Sequence, residues 1–282
     1  MINTNKVSTN HISVTSMVFK TYIIFALLAV TLHKGGASNG DKYCGKDVCP
    51  EGLRNIGCGC DSSSYGVRCA GRNARKIKID GKLKALVIEK HNMWRDMLAC
   101  GSVKPHPPAA RMTEVTWDDE LEYLAECNTK RCVYGHDQCR STSEFPFAGQ
   151  NIASKLLCGR TILKPEEMIV LSVDIWFQEH KNTTPSMTDR YPGKLPGGPI
   201  GHFTVMVNDI VRRIGCSFIV YEEQGKRKNQ NCHKYYLVCN YSYSNFVGEK
   251  TYTKTQEPAK ECFFRSDQYS CLCGSNQPSN PE

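Results

Sequence analysis

Sixteen cysteines, every one of them after residue 43, constrain this chain more than any other feature. An even count behind an apolar N-terminal run reads as a disulfide framework made in an oxidising compartment. Zinc is the rival use for so many thiols. Cys58-Gly59-Cys60 and Cys271-Leu272-Cys273 are, however, spaced by one residue rather than the two to four of zinc knuckles, and an oxidising space removes the thiolates zinc needs. The apolar run, residues 21–32 (TYIIFALLAVTL), follows Lys20 and precedes Gly35, Gly36 and Ala37, the order of a secretory signal. It is too short to span a bilayer, which takes about 20 apolar residues. Met17 as the initiator gives the signal a conventional length. Cleavage near Ala37 leaves about 245 of the 282 residues. It lowers the net charge from +8 to +5, because Lys6, Lys20 and Lys34 leave and no acid does. So mild a surplus does not point to nucleic acid.

The signal at residues 1–37 is followed by three regions. Residues 38–75 hold Cys44, Cys49, Cys58, Cys60 and Cys69 among Gly, Ser and Asn, a loop-rich extension that depends on cross-links for order. Residues 76–256 carry the periodic apolar patterns of a core domain. Residues 257–282 form a polar tail with Cys262, Cys271 and Cys273. In the core domain Leu83, Leu86, Val87, His91, Trp94, Met97 and Leu98 recur at helical spacing, and Gly101 then Pro105 stop the helix. A second helix is predicted from about Thr116, with Asp118, Asp119 and Glu120 in its first turn and Lys130 and Arg131 in its last. A third is predicted from Pro165 to about His180. Phe203, Val205 and Val207 alternate with polar or less apolar neighbours, which predicts a strand over 201–207. Further strands are predicted at 216–221 and 235–241, joined by a long hairpin loop over 222–234. Helices first and antiparallel strands later give an α+β class, a three-layer α/β/α sandwich with helices covering a sheet.

These segments also match a family pattern. Gly201-His202-Phe203-Thr204 and Tyr236-Leu237-Val238-Cys239-Asn240-Tyr241 resemble the two signatures of the CAP superfamily. Gly135-His136-Asp137-Gln138-Cys139-Arg140, Gly149-Gln150-Asn151-Ile152-Ala153, His91-Asn92 with Arg95, and Trp117-Asp118 with Glu120-Leu121 resemble four more of its segments in the right order. Tyr43-Cys44, Cys49, the cysteine pair near 58 and Cys69 resemble the N-terminal extension of insect venom antigen five proteins. The resemblance implies disulfides Cys49–Cys139, Cys69–Cys132 and Cys216–Cys239, with Cys44 joined to Cys58 or Cys60. It leaves eight cysteines unassigned. Two departures stand out: Val205 and Asn208 replace the usual Gln and Trp of the first signature, and the second lacks one residue and its Pro before Ser242.

The resemblance further implies a cavity with two His and two acidic positions, here His136, Gln150, Glu179 and His202. Two imidazoles and a carboxylate suit zinc or another divalent cation, whereas Gln150 is a weak ligand and no base. The same residues also serve as a hydrogen-bonded cluster with no required cofactor. Neither a Gly-x-Ser-x-Gly elbow nor a His-Glu-x-x-His helix occurs, and oxidised cysteines supply no nucleophile, so the expectation is no catalysis, with a metal-dependent hydrolase as the minority reading. His91 reads as a satisfied buried histidine, Trp94, Trp117 and Trp176 as core anchors, and Lys226-Arg227-Lys228 as a solvated loop. Asn182-Thr183-Thr184 is a glycosylation sequon in a polar loop, whereas the sequon at Asn240 falls in a core strand. The resulting expectation is a secreted, extracellular, monomeric protein without a membrane span. It binds a lipid, sterol or small amphipathic ligand, or engages an extracellular protein through its Cys-rich extensions.

Overall fold

The computed structural model describes residues 41–61, 63–159, 162–194, 196–225 and 230–278. The apolar run at 21–32 and the basic run Lys226-Arg227-Lys228 lie outside the described residues. Among those residues no helix is long and apolar enough to cross a membrane.

Five strands build one sheet: β1 (Arg75–Ile77), β2 (Thr116–Trp117), β3 (Gly149–Cys158), β4 (Arg213–Gln224) and β5 (Asn231–Tyr241). β5 lies between β3 and β4, antiparallel to both. The far edge of β4 is shared by β1, antiparallel at its middle, and β2, parallel at its start. Successive side chains on a strand face opposite ways, and burial follows that rule. Cys216, Phe218 and Val220 of β4, with Tyr235, Leu237, Cys239 and Tyr241 of β5, enter the larger core. Ile219 and Tyr221, with Tyr236 and Val238, enter a second core on the opposite face.

Helices α1 (Gly81–Ala99), α3 (Pro165–Gln178) and α5 (Gly201–Met206) supply Leu83, Val87, Ile169, Trp176 and Phe203 to the larger core. Helix α2 (Asp119–Thr129) covers the other face, and the short helix α4 (Pro185–Asp189) precedes the loop to α5. The three layers are therefore helix, sheet and helix, as the sequence pattern predicts. Each fully buried large apolar side chain contributes about 1.5–3 kcal/mol relative to exposure, and Trp176 and Phe177 are 1% exposed. Gly215 lets α2 lie directly on β4, because a Cβ there would stand 2.1 Å from the Glu122 amide nitrogen.

α1 starts at Asp80, whose side chain accepts from the Leu83 amide, and ends at Gly101 with φ of 75°. Of its predicted stripe Leu83, Val87, His91 and Leu98 are buried, Leu86 and Trp94 are half-buried, and Met97 is exposed. His91 is fully buried and satisfied, with Nδ1 2.7 Å from the Val87 carbonyl oxygen and Nε2 3.0 Å from the Tyr241 hydroxyl. Arg95 is also fully buried, and its guanidinium donates to the carbonyls of Thr113, Met206, Asn208 and Val211.

Three expectations need correction. Residues 201–206 are a helix, not a strand. Phe203, Thr204, Val205 and Met206 are all buried, so alternation carries no signal there, and the Glu179 carboxylate accepts from the amides of His202 and Phe203 at the helix start. Thr116 and Trp117 belong to β2, and α2 begins after Asp118, whose side chain accepts from the Leu121 amide. Finally, β4 and β5 remain paired out to Gln224↔Asn231, so the predicted long loop at 222–234 is mostly strand. Its residues are polar, but Glu223 and Lys234 pair across it and Cys158–Cys232 ties β3 to β5. The strand β3 was legible only as a family segment at 149–153.

All sixteen cysteines are paired. Cys44 takes Cys58, and Cys49–Cys139, Cys69–Cys132 and Cys216–Cys239 form as the resemblance implies. The remaining eight make Cys60–Cys127, Cys100–Cys271, Cys158–Cys232 and Cys262–Cys273. Asp96 lies beside Cys100 and Cys271, but the disulfide removes both thiolates, so this grouping holds no metal.

Candidate functional site

A cleft of about 470 Å³ opens where the start of α5 meets β3. His136, Gln150 and His202 line it, with Tyr191, Ile200 and Val205 as its more apolar wall. Glu179 does not line the cleft; it lies buried behind His202. The four residues expected to form one ligand set are thus arranged as two pairs, each an imidazole held by an oxygen acceptor.

The first pair is set by Asp137. Its carboxylate is buried, with Oδ1 accepting from Arg140 Nε at 2.7 Å and Oδ2 accepting from Asn128 at 2.8 Å and from Gln150 Nε2 at 2.7 Å. Gln150 Nε2 also donates to Asn240 Oδ1 at 2.9 Å. Two acceptors on one side fix the orientation of the amide, so Gln150 Oε1 faces His136 Nδ1 at 2.8 Å. An amide oxygen only accepts, so Nδ1 of His136 carries the proton and Nε2 carries the lone pair. Lost hydration holds the His136 pKa below its ordinary value. The Gln150 bond opposes this, while the charges of Arg140 and His202 add to it.

The second pair orients its imidazole by another route. Glu179, at the end of α3, accepts from His202 Nδ1 at 2.6 Å through Oε1, and from the His202 and Phe203 amides at 2.8 and 3.2 Å through Oε2. Both carboxylate oxygens are therefore occupied. The His202 ring stacks on Trp176 with centroids 6.0 Å apart, which fixes its plane. In the neutral ring the lone pair is again on Nε2. Among the described residues neither Nε2 has a protein hydrogen-bond partner.

Each imidazole is thus oriented through its Nδ1 by an oxygen acceptor, an arrangement common behind metal-bound histidines. Two imidazoles fall short of the three protein ligands of catalytic zinc sites. Sequence reasoning gave Asp137 and Asn240 no role here. Asp137 had a visible signal, an acid adjacent to His136 with Arg140 three residues on. Asn182 is exposed at the rim, with Nδ2 donating to the Pro199 carbonyl at 3.0 Å. Asn240 is fully buried.

Residues 88–241 match the CAP family, described as the cysteine-rich secretory protein family. Venom allergen-1 of Aedes aegypti is 38% identical over 240 residues, covering 85% of this chain and 90% of that protein. Antigen 5 like allergen Cul n 1 of Culicoides nubeculosus is 37% identical over 185 residues, 63% of this chain and 82% of that one. Among solved structures, the crystal structure of NaASP2 with Zn2+ superposes with a TM-score of 0.54 at 26% identity, covering 69% of this chain and 96% of that one.

Proposed function

Since the chain belongs to the CAP, cysteine-rich secretory protein family, we propose that it is a secreted, non-enzymatic binding protein whose cleft takes a small amphipathic ligand. One observation carries this reading. The cleft sets two acceptor nitrogens, Nε2 of His136 and of His202, against an apolar wall of Ile200 and Val205. Few polar groups facing an apolar surface is the usual composition of a site that orients one small molecule. Both nitrogens accept, so they match a hydroxyl or amine on the ligand rather than a carboxylate. Catalysis is disfavoured by the same geometry. Glu179 is occupied at both oxygens, and neither imidazole is bonded to a hydroxyl or thiol that it could activate. Eight disulfides fit an extracellular setting.

The test uses natively secreted protein with two fluorescent amphiphiles, dehydroergosterol for the hydroxyl class and dansyl-undecanoate for the acid class. Saturable binding of the sterol, preferred over the acid and lost in His136→Ala with His202→Ala, is the expected result. No saturable binding of either probe, together with no lipid recovered from the purified protein by mass spectrometry, overturns the reading.

A second reading rests on the Nε2 atoms of His136 and His202, which the bonds at Nδ1 leave open, and on the zinc named for NaASP2. Here His136 and His202 hold a divalent cation, and Glu179 and Gln150 orient them rather than bind it. The ion would supply a fixed positive charge at the cleft wall. Calorimetric titration with zinc chloride should show one site that disappears in the double His variant. Equal heats for the two proteins refute it.

A further inference from the structure

The N-terminal extension does more than add cross-links. Where it meets the end of α2 it forms a trough, and two cavities lie along that seam. One, of about 520 Å³, is lined by Arg54, Asn55, Ile56, Arg131, His136 and Gln138 among others. The next, of about 250 Å³, shares Ile56, Cys58 and Arg131 with it and continues to Ser64 and Tyr65. His136 is common to the first cavity and to the cleft. The two cavities thus adjoin along the extension, and His136 stands between the first of them and the cleft.

The charge in this trough is not cancelled. Among the described residues neither Arg54 nor Arg131 has a carboxylate within 4.0 Å; Arg54 Nη2 donates only to the Cys58 carbonyl, at 3.2 Å. Of the two acids on the walls Asp137 is paired with a cation, Arg140, and Asp61 alone opposes the two guanidinium groups. Asp137 is held by Arg140, Asn128 and Gln150, and Asp61 accepts from the amide and hydroxyl of Ser63. Tyr65 is 40% exposed and pinned through its hydroxyl, which accepts from the Lys76 amide at 2.9 Å, and the Lys130 ammonium lies over its ring, 5.5 Å from the centroid.

The walls are also fixed relative to each other. Cys49–Cys139, Cys60–Cys127 and Cys69–Cys132 each join the extension to the opposite wall. Ile56 donates its amide to the Cys139 carbonyl at 2.8 Å, and Gly66 its amide to the Lys130 carbonyl at 2.9 Å. A ligand seated here meets a surface that has little freedom left to lose, which raises affinity for a given contact.

We infer that this seam binds an extended anionic oligosaccharide, a sulfated or uronate-bearing glycan. Guanidinium groups pair with sulfate or carboxylate in fork geometry, the exposed amide of Gln138 suits sugar hydroxyls, and an exposed fixed ring suits the apolar face of a pyranose. The seam lacks the run of stacking rings that single-stranded nucleic acid uses, and it offers no deep apolar socket for a protein hot spot. The assignment is independent of the cleft reading, because Arg54 and Arg131 do not line the cleft.

The test is calorimetry on the full, disulfide-bonded protein with a heparin octasaccharide and its desulfated counterpart. Saturable binding of the sulfated sugar that weakens with salt is expected, with about a tenfold loss for Arg54→Gln or Arg131→Gln and near-complete loss for the pair. Both residues are at the surface, so matching melting temperatures will show that the variants are folded. Lys260→Gln on the tail and Lys226→Gln in the basic run should bind as wild type. Undiminished binding in the paired variant, loss in Lys226→Gln instead, equal binding of the desulfated sugar, or no binding at all would each overturn the inference. So would equal affinity for poly-glutamate.

Discussion

Replacing Gln150 by Glu tests the hydrogen-bond logic of the site. Gln150 is 8% exposed, and its Nε2 donates to Asp137 Oδ2 at 2.7 Å and Asn240 Oδ1 at 2.9 Å. A carboxylate at the same place turns both bonds into oxygen–oxygen contacts, one of them against a charge. Two lost bonds at about 1 kcal/mol each, together with repulsion from Asp137, give a cost of about 3 kcal/mol. The introduced carboxyl can avoid that cost by keeping its proton and donating it to Asp137. A free energy of about 3 kcal/mol corresponds to a rise of about 2 pKa units, from about 4.3 to above 6. The sign follows from linkage. A carboxyl with a raised folded pKa binds more protons folded than unfolded between the two values, so the variant nearly matches wild type below about pH 4 and loses stability as pH rises through about 6. For a chain of this size each kcal/mol shifts the melting temperature by about 2–4 °C, so the deficit at about pH 7.5 should be about 6–12 °C and shrink sharply at about pH 4.5. Scanning calorimetry of variant and wild type under non-reducing conditions measures it. Equal deficits at the two pH values, or none at about pH 7.5, would refute the assigned amide orientation and with it the His136 tautomer.

Two further predictions concern buried basic side chains of α1. Burial holds the His91 pKa down to about 4, so the unfolded chain takes up this proton first as pH falls. Wild-type stability should therefore decline between about pH 6.5 and about pH 4, and His91→Gln should flatten that slope by up to one proton; an unchanged slope in the chemical denaturation series counts against it. Arg95→Met leaves the carbonyls of Thr113, Met206, Asn208 and Val211 without their shared donor and should cost about 3–5 kcal/mol by denaturant unfolding, with Arg95→Lys recovering little of it. Near-wild-type stability of Arg95→Met would show that water or backbone rearrangement replaces the guanidinium.

How legible the fold was depended on whether a residue's burial followed from its own element. α1 and α3 each bury one stripe, so their spacing, the stop at Gly101 and the start at Pro165 could be read directly. Residues 201–206 could not. Residues 203–206 are all buried, whichever way they face, and what starts the helix is a carboxylate 23 residues earlier, on Glu179, capping the amide of His202. The ends of β4 and β5 failed for the opposite reason. Beyond the sandwich both faces are wet, so Glu222, Glu223 and Lys234 read as loop although their backbones remain paired. Cysteines outside the family pattern were likewise closed to reading, because pairs such as Cys100–Cys271, 171 residues apart, are chosen by tertiary contact alone.

The site shows the same division between identity and orientation. Motifs placed His136, Gln150, Glu179 and His202 in one neighbourhood, and all four lie at or just behind the cleft. Their chemistry, though, is decided by which atoms they present, and that depends on neighbours no motif had marked. Asp137 and Asn240 turn the Gln150 amide, and the amide then selects the tautomer of His136. The amides of His202 and Phe203 occupy the Glu179 oxygen that His202 leaves open. A residue list alone makes Glu179 the natural general base and Gln150 a poor ligand, whereas the hydrogen bonds make both of them fixtures that aim two imidazole lone pairs into the cleft. Substituting either one should therefore change what the imidazoles can accept before it changes any contact made by the substituted side chain itself.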